Sequence, residues 1–338
     1  MRKFLFLIVL LLVGVVVISS FSELQGIVQT LKQAELRFLV VAILLQLIWF
    51  VGVAAVYKSL YNLMSIKEGI PHLALLASAV NFINIVAPSA GMGGMAVFID
   101  DAGRRGHPHG RVVAAAALFV FLDYISFLMV LALGLLVLFR RNTLNSAEII
   151  PTLILLAVVI FSGWLLYTGA KSPSSLGTTL AGISRGLNRV IKLVTRRDYF
   201  HEESSYIFAA EISDGLSTLR QEYRGLLWPM FYLCLNRILQ LGILAMAFLS
   251  FGVSFTGGTL IGGYSVGYLI AIVSPTPSGV GIVEGAFPVV LASLGVPLAQ
   301  AIIVTLSFRA VTFWLPLALG GITFRFINSR KQVAGLPD

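Results

Sequence analysis

Long apolar stretches constrain this chain more than any other feature. Six of them are continuous, and they lie at residues 4–20, 37–58, 112–139, 149–170, 226–251 and 299–324. A helix of about 20 apolar residues matches the roughly 30 Å hydrocarbon core of a bilayer. Charged residues make up 12% of the chain, about half of their usual share in soluble domains. The pattern predicts an all-α integral membrane protein with about six full transmembrane helices.

Two further apolar regions, 70–100 and 258–294, are interrupted by proline and glycine. Each region is too long for one helix and too broken for two ordinary spans. A broken backbone at membrane depth must pack within protein or line a wet cavity. We therefore expect each region to form a re-entrant hairpin.

The basic residues predict the orientation of the chain. Eighteen of the 24 Lys and Arg lie in segments that the hairpin topology places on one side, and four lie on the other. Because basic loops stay inside, we expect a multi-pass plasma (inner) membrane protein with both termini in the cytoplasm. The apolar run after Lys3 is interpreted as a retained first helix, with a cleaved signal peptide as the alternative. No nucleic-acid partner is expected, since the basic residues form no aromatic-interleaved domain.

The order of the elements predicts an internal repeat within a single membrane domain, 1–338. Helix, helix, hairpin and helix fill residues 4–139, and the same order recurs over 149–324 from the opposite side of the membrane. This is an inverted-topology repeat, a plan common among secondary transporters. The alternative is a chance similarity between two apolar halves.

The long loop 171–225 is predicted to be cytoplasmic and amphipathic. Residues 183–197 place apolar side chains on one helical stripe and basic ones largely off it, a pattern typical of helices that rest on an anionic cytoplasmic leaflet. A simple orienting loop is the alternative. A second apolar stripe is expected to pack back on this helix, and it consists of Phe208, Ile212, Leu216 and Leu219.

The strongest local motif is the break at 275–284, with the sequence PTPSGVGIVE. Pro275 and Pro277 lack a backbone donor and end a helix, whereas Gly279 and Gly281 permit tight turns. A half-helix is expected to start near Gly279, with N–H groups that attract phosphate or carboxylate.

The matching break in the first half runs from Asn81 to Gly94. Asn81, Asn84 and Pro88 share a helix face that leads into the turn, so we expect the two amides to meet a polar ligand. Both breaks have a simpler interpretation as packing kinks, because glycine and proline are common in membrane helices.

Four ionisable residues fall inside the apolar regions, and they are Asp123, Arg237, Glu284 and Arg309. Leaving all four unpaired would cost on the order of 10 kcal/mol on insertion scales, so the acids and bases are expected to pair or to share a polar cavity. One hypothesis is that the two arginines attract a lipid phosphate, which guanidinium groups bind well, while Glu284 orients one of them or meets a cationic headgroup. The alternative is two structural ion pairs.

The chain carries none of the common catalytic motifs of soluble enzymes. No cofactor and no metal site is expected, and the histidines are interpreted as solvated loop or interface residues. Asp100 and Asp101 could be a metal-binding pair of a lipid-phosphate transferase, but beside Arg104 and Arg105 surface ion pairs are the favoured interpretation.

These residues resemble the flippase-like family related to the transmembrane region of lysylphosphatidylglycerol synthase, the multiple peptide resistance factor. Segment 275–284 is similar to the family's Pro-x-Pro-Gly-Gly-x-Gly-x-x-Glu signature, with Ser278 in place of a glycine. Arg309, segment 312–321 and the early 81–91 segment also resemble it. The resemblance implies a bacterial or archaeal plasma-membrane protein that moves an amphipathic lipid. The best-known member passes an aminoacylated phospholipid between leaflets and synthesises it in a separate cytosolic domain; here a short tail follows residue 324, so lipid aminoacylation is not expected.

Together these features predict translocation of a phosphate-bearing lipid, either a phospholipid or a polyprenyl-linked glycolipid, by sites on both hairpins. Two alternatives stay open. One is a membrane enzyme or accessory of glycolipid assembly, such as a polyprenyl-phosphate sugar transferase, and the other is a membrane scaffold that transports nothing.

Overall fold

The computed structural model describes residues 34–86, 92–195, 202–217, 223–274 and 276–323, and within them the fold is all α. The helices are α1 (Leu36–Leu63), α2 (Ile70–Val86), α3 (Met92–Arg104), α4 (His109–Arg140), α5 (Ser146–Lys171), α6 (Pro173–Thr195), α7 (Glu202–Ser217), α8 (Leu227–Ser250), α9 (Gly257–Val273), α10 (Ile282–Ser293) and α11 (Leu298–Arg309). After Arg309, α11 continues through a π-helical turn, Ala310–Trp314, to Thr323.

Five helices are long and apolar enough to cross a membrane, and they are α1, α4, α5, α8 with its preceding turn, and α11 with its extension. They confirm five of the six predicted spans. The first predicted span, 4–20, lies outside the described residues. The shorter apolar helices α2, α9 and α10 occupy the two interrupted regions.

Among the described residues, the most extensive packing seam joins α1 to α8, which run antiparallel. The N–H of Glu35 donates to the Ser250 carbonyl at one end (2.8 Å), and Leu63 contacts Gly225 at the other. Midway along the seam Gly52 lies against Asn236, where an added Cβ would stand 2.0 Å from the Asn236 Oδ1 atom. The glycine therefore permits the close approach of these two helices.

Two of the remaining spans, α4 and α11, pack reciprocally on the broken regions. The second half of α4 packs on α9, where the Ser265 hydroxyl donates to the Val130 carbonyl (3.1 Å). The end of α11 packs on α2, where Gly320 lies against Phe82 and the Thr323 hydroxyl donates to Ser78 (3.3 Å). In an inverted repeat, α4 would correspond to α11 and α2 to α9, so the packing of α4 on α9 would be matched by the packing of α11 on α2. The repeat itself stays a prediction.

Two helices, α6 and α7, occupy the predicted amphipathic loop. Ile212 and Leu216 of α7 are buried, and Leu216 shares an apolar cluster with Leu176 of α6. These two stripe residues pack as predicted, whereas Phe208 is 38% exposed because it lies at the edge of the buried face of α7, about 90° from the centre of that face. Leu219 and the side chains of 189–195 lie outside the described residues, so the basic face of α6 stays a prediction.

Candidate functional site

A central cavity of about 410 Å³ lies among α1, α2, α3, α4, α8, α9, α10 and α11. Its wall is largely apolar and aromatic. Besides the aromatic residues Trp49, Tyr57, Tyr264 and Tyr268, the polar side chains that line it are Gln46, Asn81, Asn84, Asp123, Asn236, Arg237, Gln240, Ser278, Arg309 and Thr312. A membrane protein site that combines apolar walls with a few convergent polar groups fits a ligand-binding pocket.

The first buried arginine, Arg237 of α8, is 5% exposed and bridges the two halves of the chain. One terminal nitrogen donates to the Oδ1 atom of Asp123 on α4 (2.7 Å) and to its backbone carbonyl (3.0 Å). Its Nε atom donates to the Ser126 hydroxyl (3.1 Å), and the other terminal nitrogen donates to the Tyr264 hydroxyl (3.4 Å). The guanidinium also lies 4.7 Å from the ring centre of Tyr268, a cation–π contact.

The second buried arginine, Arg309 of α11, is 7% exposed. Its Nε donates to the Oε1 atom of Glu284 on α10 (2.5 Å), and Nη2 donates to the Ser278 carbonyl (3.2 Å). Its guanidinium lies 4.4 Å from the ring centre of Phe313. The π-helical turn of α11 starts at the residue after Arg309, and such turns are frequent at functional sites.

The predicted pairing of the four intramembrane charges is therefore confirmed. The two pairs sum to zero formal charge. Asp123 keeps its Oδ2 oxygen without a hydrogen bond among the described residues, and Arg309 likewise keeps Nη1. Both residues line the cavity, so an acceptor and a donor remain for a ligand.

The second break differs in detail from its predicted form. Gly279 and Gly281 have positive φ values of 74° and 79°, and Pro277 opens a short 3-10 turn that ends at Gly279. Because Gly281 cannot continue a helix at that φ, α10 begins at Ile282 rather than near Gly279.

The start of α10 already has an anionic partner. The N–H of Gly281 donates to the Oε2 atom of Glu284 (2.8 Å), and the other oxygen of this carboxylate meets Arg309. Glu284 thus occupies the position that the sequence suggested for a ligand phosphate. Pro275 lies outside the described residues.

In the first break, Asn81 and Asn84 line the cavity, and their contact with a polar ligand stays a prediction. The Oδ1 atom of Asn84 accepts a hydrogen bond from the N–H of Gly94 (3.1 Å). This bond joins α2 to α3 across the turn, so Asn84 has a structural partner as well as a cavity position. Pro88 lies outside the described residues.

Sequence reasoning missed a second set of polar residues on the α1–α8 seam. The Gln240 amide donates to Gln46 (3.5 Å), and the buried Oδ1 atom of Asn236 has no hydrogen-bond partner among the described residues. All three line the cavity. Each of the three is an amide side chain within an otherwise apolar span, and this was visible in the sequence. Placing an amide in a bilayer is costly unless it has a hydrogen-bond partner.

Two of the histidines, His72 and His107, differ from their solvated interpretation, whereas His109 is exposed and His201 lies outside the described residues. His72 and His107 belong to a cluster outside the cavity, where His107 contacts Glu68 (2.8 Å) and His72 contacts Asp101 (2.9 Å). Arg105 contacts both acids. Asp100 pairs with Arg104 (3.0 Å), so the predicted surface ion pairs are confirmed and neither aspartate faces the cavity.

Comparison with known proteins agrees with this architecture. The chain is 28% identical to a UPF0104 membrane protein of Pyrococcus horikoshii, over 95% of this chain and 96% of that protein. It is 22% identical to a UPF0104 membrane protein of Methanothermobacter thermautotrophicus, over 95% of each. The model of the lysylphosphatidylglycerol synthase transmembrane region matches residues 5–320. Since this match covers nearly the whole chain, the protein belongs to the family of the lysylphosphatidylglycerol synthase transmembrane region.

Proposed function

We propose that this protein translocates a phosphate-bearing lipid by passing its headgroup through the central cavity while the tails stay in the bilayer. The observation that carries the proposal is the pair of arginines, Arg237 and Arg309, which are buried in a membrane protein and line one cavity. Ionisable residues at this depth are costly and commonly mark a substrate pathway.

Only the headgroup of the lipid meets a large free-energy barrier in crossing the bilayer. A polar or charged group costs several kcal/mol or more to place in hydrocarbon without hydrogen-bond partners. The cavity supplies such partners as amides, hydroxyls and two ion pairs. Apolar tails need no such help, so a site of about 410 Å³ has only to hold the polar part of a lipid.

The charge of the cavity narrows the class of headgroup. Asp123 offsets Arg237 and Glu284 offsets Arg309, so the site has no excess positive charge to neutralise a bare phosphate. A zwitterionic headgroup suits it, with the phosphate on the Arg309 Nη1 group and the cation on the Asp123 Oδ2 oxygen. A sugar phosphate would keep a negative charge without a counter-charge in this site, although the amides and aromatic rings of the cavity suit hydroxyls and sugar faces. For Arg309 to bind a phosphate through both terminal nitrogens, the hydrogen bond from its Nη2 atom to the Ser278 carbonyl would have to break.

Reconstitution tests the proposal. Lipids that copurify with the protein would be identified by mass spectrometry, and fluorescent analogues of the enriched lipid would be followed by dithionite quenching in vesicles. We expect the protein to accelerate flipping at least tenfold and Arg309→Gln to abolish most of that gain. Arg104→Gln is the matched control, because Arg104 is in an exposed ion pair outside the cavity. Equal flipping in empty vesicles and protein-containing vesicles would reject the proposal.

A second candidate, a scaffold that transports nothing, is favoured by one observation. Each buried arginine already has a carboxylate partner, and such pairs also serve as static connections between helices. If the protein is a scaffold, a folded variant in which apolar residues replace both Asp123 and Arg237 should keep every function of the protein. If the protein is a transporter, this variant should fold but should not flip lipid.

A further inference from the structure

A second concave site lies at one end of the α1–α8 seam, outside the central cavity. We call it the seam pocket. Its volume is about 400 Å³, and it shares no lining residue with the central cavity. The residues that carry its chemistry are Lys58, Ser59, Asn62, Trp228 and Tyr232.

The length of α1 places this pocket at one membrane surface. Twenty-two residues separate Leu36 from Lys58, and at 1.5 Å per residue this is about 33 Å of helix. The hydrocarbon core is roughly 30 Å thick. The hydrogen bond between Glu35 and Ser250 marks the far end of the same seam. Lys58 therefore lies at headgroup depth, opposite the surface that holds Glu35.

The lining of the seam pocket is rich in donors. The Lys58 side chain is half-buried and makes no ion pair or hydrogen bond among the described residues. Asn62, Trp228 and Tyr232 add an amide, an indole N–H and a hydroxyl, and no carboxylate lines the pocket. A pocket lined by one ammonium and three neutral donors, without a carboxylate, favours an anion, and basic pockets between transmembrane helices bind anionic lipid headgroups.

The rim of the pocket points to a lipid rather than a soluble anion. Leu227, Trp228 and Phe231 are 70%, 62% and 56% exposed. The ring of Trp228 lies 6.3 Å from that of Tyr232. Exposed aromatic rings are characteristic of the membrane–water interface, and here they flank the polar pocket with an apolar surface on which an acyl chain can lie.

We propose that the seam pocket binds the headgroup phosphate of an anionic phospholipid, with Lys58 as its cationic contact and Trp228 against the chain. This lipid is separate from the one translocated through the central cavity. It fills the groove between α1 and α8 and so stabilises the seam where the two halves of the protein meet.

Native mass spectrometry of the full chain in detergent tests this site with phosphatidylglycerol as the probe. We expect Lys58→Gln to raise the dissociation constant of the first bound lipid about fivefold, the factor expected for one lysine near an anionic headgroup. Lys58→Arg should restore binding to within about twofold, because it keeps the charge. The matched control is Lys67→Gln, since Lys67 is exposed in the loop after α1 and outside the pocket.

The remaining arms separate the possible sources of the anion. Phosphatidylcholine should bind more weakly than phosphatidylglycerol, and free glycerol phosphate should not displace the lipid at equal concentration. Unchanged binding by Lys58→Gln, an equal loss in Lys67→Gln, or displacement by free glycerol phosphate would each overturn the proposal. None of these arms measures flipping, so the outcome is independent of the proposed transport.

Discussion

The two buried ion pairs differ in what they connect. Arg237 and Asp123 lie on α8 and α4, 114 residues apart, and join the two halves of the chain. Arg309 and Glu284 are 25 residues apart, and both lie in the second half. The Asp123 side chain is 24% exposed, whereas that of Glu284 is 8% exposed.

This difference suggests different tasks for the two pairs. Glu284 has both oxygens occupied, one by Arg309 and one by the N–H of Gly281. It holds the second break in shape. Asp123 faces the cavity with one oxygen available, and a movement of the two halves during the proposed translocation would require its ion pair with Arg237 to rearrange. We call the Arg309–Glu284 ion pair the dry pair and the Arg237–Asp123 ion pair the half-open pair. We expect loss of the dry pair to have the larger effect on the free energy of unfolding, and loss of the half-open pair to have the larger effect on the proposed transport.

The largest expected effect is on the dry pair. Glu284→Ala should reduce the free energy of unfolding by about 3–5 kcal/mol, because it leaves Arg309 buried without a counter-ion. Denaturation in sodium dodecyl sulfate, followed by circular dichroism, measures this loss.

The matched control for this variant is Glu148→Ala. Glu148 accepts a hydrogen bond from the N–H of Asn145 (2.9 Å) at the start of α5, the same local contact without an arginine. Its loss should cost about 1 kcal/mol, as for other helix caps. Equal losses in the two variants would show that Glu284 acts only as a cap.

The second effect concerns the half-open pair. Asp123→Ala should cost about 2 kcal/mol, less than Glu284→Ala, because Arg237 keeps Ser126, Tyr264 and the ring of Tyr268. The double variant Asp123→Leu/Arg237→Met should recover most of this stability and lose flipping. A double-mutant cycle measured in the same denaturation assay supplies the coupling energy.

Two results would contradict this account of the half-open pair. If Asp123→Ala destabilised the protein more than Glu284→Ala, exposure would not be the variable that separates the pairs. If the stable double variant flipped lipid at the original rate, the pair would be a static connection and the scaffold would be favoured.

The smallest effect is expected for the cluster around Glu68, whose side chain is 8% exposed but whose partners Arg105 and His107 have side chains that are 42% and 21% exposed. Burial by itself raises the pKa of the Glu68 carboxyl, but the hydrogen bond with His107 and the charges of Arg105 and His72 outweigh it and lower that pKa. A lowered folded-state pKa stabilises the protein above the ordinary glutamate value of about 4.3, and this contribution is lost as the pH falls through the lowered value.

We therefore expect Glu68→Gln to lower stability at pH 7 by less than about 1 kcal/mol, since its partners are partly exposed. The difference from the original protein should shrink as the pH falls below about 4.3. Thermal unfolding in detergent at pH 7 and pH 3.5 measures it. A difference that stays constant between the two values would show that the cluster acts through packing rather than charge.

Much of the candidate site was predictable because a bilayer makes polar residues conspicuous. Asn81, Asp123 and Arg309 stand out in apolar sequence, and all three line the cavity. The amides Gln46, Asn236 and Gln240 were as visible in the sequence. They were missed because their importance depends on α1 packing against α8, a contact between residues almost 200 positions apart.

The choice of ion-pair partners was also beyond the sequence. Two acids and two bases permit two pairings, and hydropathy does not distinguish them. The partners are decided by which helices meet, and that depends on small residues such as Gly52 and Gly320, which let specific pairs of helices approach.

By itself, the sequence determined that this chain is a multi-span helical membrane protein with two interrupted regions and four charges that need compensation. These properties follow from the free energy of transferring each residue into hydrocarbon, which depends mainly on residue type. The tertiary structure alone decided which acid meets which arginine, that Glu284 caps α10, and that distant amides line one cavity. Those outcomes depend on helix–helix packing, and packing depends on shapes that are brought together only in the folded chain.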